Sequence, residues 1–453
     1  MAAFVGSVAA APNSVLQGEN SIDRGVRIPA GETTAGKGER MVIHDEWTDT
    51  SVVGNVILSG ATGSLLELPS GRLQYGRTAD LQTTDRPFEP ADKSEVGRLL
   101  VEKYFPKFKV KTSKHYVFVY NASDNFRAGT QAILESMLEG VVARFKKLGF
   151  DVYKPRVPLV VIMFRTEAEY RKHFNPTTGW LAFYNHNVNF IAMFEHRSKP
   201  DELRASGRKR AITTIAHEGA HQLLTNIGLQ QRLARWPIWA TEGIADYLAP
   251  TEVGRSLKWA GPGKIHEGRL YDLIEFVKTR QGKRVDGSVL RSLVASARLD
   301  GLGYAKSWGL TFFLSQKHTD RYLAYLREMS AIKPNGGVRR DAVEPVAENV
   351  TAFKKHFGED LAKLERDWLD FIIATYNKYE SERVYYVTFM QTHAGRQVRR
   401  TTGISTSADA AREWQAEQLK KLAPLLRRTT RFEARPIRGR ANADAAAKAW
   451  LQQ

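Results

Sequence analysis

"AHEGAHQLLTNIG", residues Ala216 to Gly228, decides how the rest of the chain is read. It sets two histidines, His217 and His221, four positions apart, with Glu218 directly after the first. On an α-helix, positions i and i+4 lie one turn apart on the same face, so both imidazoles can point at one ion. Glu218 is rotated by about 100° from His217, which puts its carboxylate beside the open coordination position where a water would sit. Ile212, Ile215, Gly219 and Leu223 give the helix an apolar side, and Gly219 with Ala220 leaves room for a substrate or a neighbouring element. The competing reading is a chance pentapeptide whose histidines are ordinary surface or core residues.

Two histidines do not complete a metal site, and the stretch just downstream offers a third ligand. In "PIWATEGIADYLAP", Glu242 follows His221 by 21 residues. A Trp- and Pro-rich turn, then Thr241 as a cap, reads as the start of a second helix that brings Glu242 back to the first. Two neutral imidazoles and one carboxylate leave a fourth position for water, the catalytic rather than the structural pattern. Asp246, one turn after Glu242 on the same face, is placed to accept the spare N–H of a ligating histidine. Asp246 as the third ligand in place of Glu242 stays open on the same spacing. The longer pattern with a third histidine is absent, because Leu224 and Ile227 occupy the positions that would need Gly and His.

The three segments "HEGAH", "PIWATEGIADYL" and "YAKSWGLTFFLSQ" together resemble the gluzincin zinc metallopeptidases, in particular their peptidase-MA-like group of largely uncharacterised, mostly secreted proteins. The resemblance spans roughly residues 114–376. It implies a Zn2+ ion held by His217, His221 and Glu242, with Glu218 as catalytic base and Asp246 supporting a ligating histidine. Tyr304, in "YAKS", either steadies an oxyanion, as the related aminopeptidase-type gluzincins imply although Ser307 stands where they carry Gly, or is a helix-start residue packing on the core. No Gly-x-Met-x-Asn-type segment precedes the histidine helix, which argues against aminopeptidase action. "GWLAFYNHNVNFIAMFE" occupies the place where such folds keep an edge strand for an extended peptide; a core strand accounts for its apolar residues as well.

The rest of the chain sets limits. At 453 residues, 42% hydrophobic and 26% charged, it has the composition of a globular protein with two to four domains. No run approaches the ~20 apolar residues of a membrane span. The absence of cysteine excludes disulfides, thiolate ligands and a cysteine nucleophile. There is no G-x-S-x-G elbow and no phosphate-binding P-loop. "MAAFVGSVAAAPNS" reads as the back half of a secretory signal or as a disordered leader. With the former, the expected location is secreted, periplasmic or at the cell surface. The net charge of +18 is concentrated partly in "GRQVRR" and "LKKLAPLLRRTTRFEARPIRGR". That tail suits an anionic polymer, or is simply a solvated face.

The expected architecture is α+β, a gluzincin-like (zincin) domain with two accessory segments. Residues 1–40 read as a flexible leader and 41–110 as a small β-rich unit plus the linker "TADLQTTDRPFEPADKSE". Residues 111–376 form the metallopeptidase domain, and 377–453 a basic ββα appendage with Ser407 capping its helix. The expected reaction is hydrolysis of a peptide or protein substrate. The rivals are a catalytically silent zincin scaffold and a nucleic-acid binder using Arg396, Arg399 and Arg400 with Tyr385, Tyr386 and Phe389 for stacking. Those aromatics equally suit the inner face of a strand. His173, His186 and His196 sit in loop-like contexts and take no role.

Overall fold

The computed structural model describes residues 26–174, 181–195, 204–253, 257–337 and 346–452, with the backbone alone at 204–211 and 253. The chain divides into two compact units, residues 1–196 with 211–368, and residues 197–210 with 369–453. The fold is mixed α+β.

The first unit begins with a six-stranded antiparallel sheet. β1 (Thr33–Ala35), β2 (Arg40–Asp45), β3 (Thr50–Gly60), β4 (Gly63–Glu67), β5 (Leu73–Arg77) and β6 (Gln82–Thr83) run in the order β5-β4-β3-β2-β6, with β1 on the end of β3. A buried ion pair, Arg72 Nη2 to Asp45 Oδ1 at 2.6 Å, fastens the β4–β5 turn to β2. Part of the expected leader belongs to this sheet. Residues 33–35 form β1, and Gly36 donates its N–H to the Ile57 carbonyl at 3.0 Å. Edge pairing uses main-chain groups, which a Gly- and Thr-rich composition does not advertise. Residues 1–25 of that leader lie outside the described residues.

The expected linker also holds structure. α1 (Lys93–Lys103) begins within it, where the Asp92 carboxylate accepts from the N–H groups of Ser94 (2.7 Å) and Glu95 (3.2 Å). This is an N-cap, and Val96 and Leu100 bury one turn apart behind it.

A five-stranded sheet follows. β7 (Lys109–Thr112), β8 (Tyr116–Tyr120), α2 (Asp124–Lys147), β9 (Leu159–Phe164), α3 (Glu167–Phe174), β10 (Ala182–Asn185) and β11 (Phe190–Phe194) give the strand order β10-β11-β9-β8-β7. The pairs β8–β9 and β9–β11 are parallel and the two edge pairs antiparallel. Every residue of β8 and β9 is buried, which is why "YVFVY" and "LVVIMF" are continuous apolar runs rather than alternating ones. α2 buries Ile133, Met137, Val141 and Phe145 at a four-residue spacing.

The chain then turns helical, with α4 (Arg204–Asn226), α5 (Ile238–Leu248), the hairpin β12 (Thr251–Val253)–β13 (Leu257–Trp259), α6 (Glu267–Arg280), α7 (Ser288–Ala295), α8 (Gly301–Lys317), α9 (Thr319–Ser330), α10 (Ala347–Phe357) and α11 (Leu361–Glu382). α4 lies against α2 at Gly219, where an added Cβ would stand 2.4 Å from Leu134 Cδ2. The room left at Gly219 is therefore filled by α2. α5 starts at Ile238 behind Pro237 rather than at a Thr241 cap, and Thr241 lies inside the helix with its hydroxyl donated to the Pro237 carbonyl. Pro has no N–H to satisfy and a preset φ, so a helix starts behind it readily.

The second unit contains β14 (Val384–Ala394), β15 (Gln397–Ser405), α12 (Ala408–Lys421), α13 (Pro424–Arg428), β16 (Thr430–Arg438) and α14 (Arg440–Leu451). Ser407 caps α12 by accepting the Ala410 N–H at 3.1 Å. The sheet is three-stranded and antiparallel, β15-β14-β16, so the ββα expectation lacked one strand and two helices, the short α13 and the terminal α14. β16 escapes sequence reading because it is largely exposed: "TRFEARPIR" carries charged side chains along an edge and resembles a tail. Ala443 and Ala447 of α14 pack on Tyr385, Val387 and Phe389. Tyr385 and Phe389 are thereby buried and are not free to stack on bases.

α5 and α8 approach closely at Gly243, where an added Cβ would meet Thr311 Oγ1 at 2.3 Å and the Ser307 carbonyl oxygen at 2.6 Å. The second contact is backbone and cannot rotate away. Gly243→Ala is expected to destabilise the protein by about 1–3 kcal/mol through overpacking. The shift of its urea unfolding midpoint measures this.

Candidate metal centre

Two helices supply the candidate residues. α4 carries His217, Glu218 and His221, and α5 carries Glu242 and Asp246, all buried to 3% exposure or less. His217 and His221 face α5 from successive turns, their Nε2 atoms 3.1 Å apart. Glu242 Oε2 lies 3.2 Å from His217 Nε2 and 3.4 Å from His221 Nε2. The three side chains thus offer ligand atoms within 4.8 Å of one another, in a geometry able to hold a metal ion.

Asp246 is not in that cluster. Its Oδ1 lies 2.8 Å from Nδ1 of His217, on the far side of the ring from Glu242. Asp246 accepts from Nδ1 of His217, so Nε2, which faces Glu242 and His221, is the nitrogen left to bind a metal once it gives up its own proton. Asp246 is held in turn by Arg269 of α6, whose Nε donates to Oδ2 at 2.7 Å. His266, capping α6, stands 3.6 Å from Asp246 Oδ1.

Glu218 points to the other side. Its Oε2 accepts the main-chain N–H of Tyr184, in edge strand β10, at 2.8 Å. Its Oε1 is buried with no hydrogen-bond partner, as is Oε1 of Glu242. Burying an anionic oxygen without a donor is costly. A cation between these carboxylates and the two imidazoles would offset that cost, and the donor set of two nitrogens and one carboxylate oxygen matches one. The residues present therefore fit a metal.

The buried charges of the cluster balance one another. Burial alone would lower the pKa of His217, but the charge and hydrogen bond of Asp246, with help from Glu242, raise it to about 10. Burial would raise Glu242, yet His221 and the hydrogen bonds from both imidazoles lower it to about 2. Glu218 is pushed up by burial, against the pull of His217 and His221. Burial takes His266 down to about 4, so it faces Asp246 neutral near neutral pH.

Tyr304, in the first turns of α8, is fully buried, and the Arg269 guanidinium covers its ring 5.1 Å from the centroid. It therefore touches the same arginine that holds Asp246. Sequence reading missed three participants: Arg269, His266 and the Tyr184 N–H. Arg269 and His266 sit at the start of α6 in "IHEGRLYDLIEF" with no motif to mark them, and a main-chain donor leaves no trace in residue identity. His186 lies in the β10–β11 turn with its ring 4.6 Å from that of Tyr184. Burial, with His221 as the next contributor, lowers its pKa to about 3. His173 lies in α3 rather than in a loop and packs among Phe105, Phe164 and Phe174, and His196 lies outside the described residues.

Residues 211–335 match a family described as a protein of unknown function (DUF1570). The match takes in the described side chains of α4, then α5 to α9, but not β10, which supplies the Tyr184 N–H. No curated protein matches the chain.

If Asp246 orients His217 for a metal, Asp246→Ala should weaken metal affinity by about 10- to 100-fold. Competition with a chromophoric chelator reads this directly, and an unchanged affinity would remove Asp246 from the centre.

Proposed function

We propose that this chain is a zinc-dependent metallopeptidase of the gluzincin type, with His217, His221 and Glu242 as the zinc ligands. The observation that carries this reading is the convergence of those three side chains while Glu218, next in sequence to His217, stays outside the ligand set with one oxygen unengaged. A purely structural zinc site closes its fourth position with a further protein ligand. Here two histidines and one carboxylate converge, and a second carboxylate stands beside them.

Zinc bound there supplies Lewis-acid polarisation of the scissile carbonyl and of the attacking water. The chain's own residues do the rest. Glu218 keeps Oε2 anchored on the Tyr184 N–H and has Oε1 to receive the water's proton and hand it to the leaving amine. Asp246, braced by Arg269, holds the proton of His217 on Nδ1. Tyr304 is assigned to the oxyanion, following the gluzincin resemblance and its place under Arg269. The β10 edge suits an extended substrate: Tyr184 already directs its N–H away from β11 toward Glu218, and a peptide can add as a further strand. Peptides are the substrate class favoured by that edge.

A second reading rests on the three-stranded sheet of the other unit, where Arg400 and Arg431 flank Gln391 in register across the strands. Binding of an anionic polymer there is compatible with peptidase activity and is read by salt-dependent retention on heparin.

Three measurements test the main reading. Wild-type protein should carry one zinc per chain by mass spectrometry, and Glu242→Ala should lose it. Glu218→Gln should retain the metal while peptide-library cleavage falls by about 10²–10⁴-fold. Tyr304→Phe should lower kcat by about 10²–10³-fold with zinc retained. A fully active Glu218→Gln variant would remove the proposed mechanism.

A further inference from the structure

We infer that the N-terminal sheet is a working part of the catalytic unit: it clamps the β10–β11 turn through Arg232 and so holds the Tyr184 N–H on Glu218. Arg232 is then a positioning residue. The inference rests on the peptidase reading, since it concerns where that reading's general base is held.

The chain of contacts is continuous. Arg232 follows α4 in the connection to α5 and is 7% exposed. Its Nη1 donates to Glu67 Oε1 at 3.0 Å, at the end of β4, and to the Gly71 carbonyl at 2.9 Å, in the β4–β5 turn. Its Nη2 donates to the carbonyl of His186, in the β10–β11 turn. One planar guanidinium therefore ties the N-terminal sheet to that turn with a fixed fork of donors, which a lysine ammonium cannot reproduce. A second tie runs beside it: Leu73, opening β5, donates its N–H to the Asn187 carbonyl at 2.7 Å.

Inside the turn, Asn189 transmits the constraint. Its backbone is left-handed, φ 58°, a region asparagine enters more readily than other non-glycine residues and one that shapes the turn. Its side chain is interlocked with Asn226 by reciprocal bonds of 2.8 and 2.9 Å and accepts from the Tyr184 hydroxyl at 2.9 Å. Its carbonyl accepts from Gln222 Nε2 at 3.0 Å. Gln222 and Asn226 belong to α4, as Glu218 does. The turn is thus fixed to the metal helix on one side and to the N-terminal sheet on the other. Gly71 presses on it directly: at φ 85°, a Cβ there would stand 2.8 Å from Asn189 Nδ2. Tyr184, two residues before His186, is the last link to Glu218 Oε2.

A misplacement of about 1 Å at a reacting group can lower turnover by about 100-fold. Loosening the turn should therefore depress kcat while leaving the zinc ligands, which lie on α4 and α5, in place. Arg232 also forms part of the wall of an open cleft of about 560 Å³, so a small guanidinium can reach the space that its truncation would leave.

The test uses the full chain as wild type, Arg232→Ala, Arg232→Lys and Gly71→Ala. Zinc content and cleavage of a peptide that wild type hydrolyses are measured first, which tests the peptidase reading by itself. In Arg232→Ala, kcat should fall by about 10- to 100-fold, with KM within about threefold and zinc Kd within about twofold of wild type. Added methylguanidinium should recover most of the lost kcat in this variant and have no effect on wild type. Arg232→Lys should remain impaired. Hydrogen exchange of the segment 182–190 should accelerate in Arg232→Ala whether or not zinc is loaded, so the clamp can be judged even if the peptidase reading fails. A folded Arg232→Ala with wild-type kcat, or with protection of 182–190 unchanged, would overturn the inference; so would a loss that lies wholly in zinc affinity. If Arg232→Ala does not fold, Gly71→Ala decides: lower kcat and faster exchange with zinc retained support the clamp, and wild-type values for both reject it.

Discussion

Three carboxylates, Glu218, Glu242 and Asp246, are buried to 2% exposure or less in one core, and their surroundings compensate for them in part, leaving one oxygen each of Glu218 and Glu242 without a donor. A lone buried carboxylate would cost several kcal/mol or shift its pKa until it was neutral. Here each anion has specific partners: Asp246 has His217 and Arg269, Glu242 has both imidazoles, and Glu218 has a main-chain N–H. The neighbouring elements can be understood from this requirement. α5 must approach α4 to deliver two of the acids, α6 must deliver an arginine, and β10 must turn an amide toward the helix.

Close approach is made possible by small residues at crossing points. Gly219 lets α2 lie against α4, and Gly243 lets α8 lie against α5. Each glycine stands beside a residue of the candidate site in sequence, Glu218 in one case and Glu242 in the other. The backbone that carries the site is thus packed from behind with no space for a methyl group, which fixes the side chains in front of it. Helix packing and site geometry are one constraint.

The N-terminal sheet gains its meaning from the same core. Taken alone it is a small antiparallel unit with its own buried ion pair, Arg72 with Asp45. Its β4–β5 turn, however, reaches the β10–β11 turn through Arg232, Gly71 and Leu73. The family match begins at residue 211 and includes neither turn, although it does include Arg232. What surrounds Glu218 is therefore assembled from more of the chain than the matched segment.

Much of the candidate site was legible in the sequence because it is local. Placement of His217, Glu218 and His221 follows from helical period alone, and Asp246 shares a face with Glu242 for the same reason. The runs "YVFVY" and "LVVIMF" of β8 and β9 are likewise unbroken apolar stretches in the sequence, as strands covered on both faces require. Other elements were not legible: α1 was hidden in a polar stretch, β1 in a Gly-rich one, and β16 in a basic one, because edge strands and short capped helices carry little apolar signal. The sequence by itself determined which faces the two helices present and which chemistry sits on them. Only the tertiary structure decided that Glu242 meets the histidines, that Arg269 holds Asp246, and that the Tyr184 amide and Arg232 reach across more than one element. Those contacts join residues 21 to 165 positions apart, and no local periodicity records which distant groups will share a buried charge.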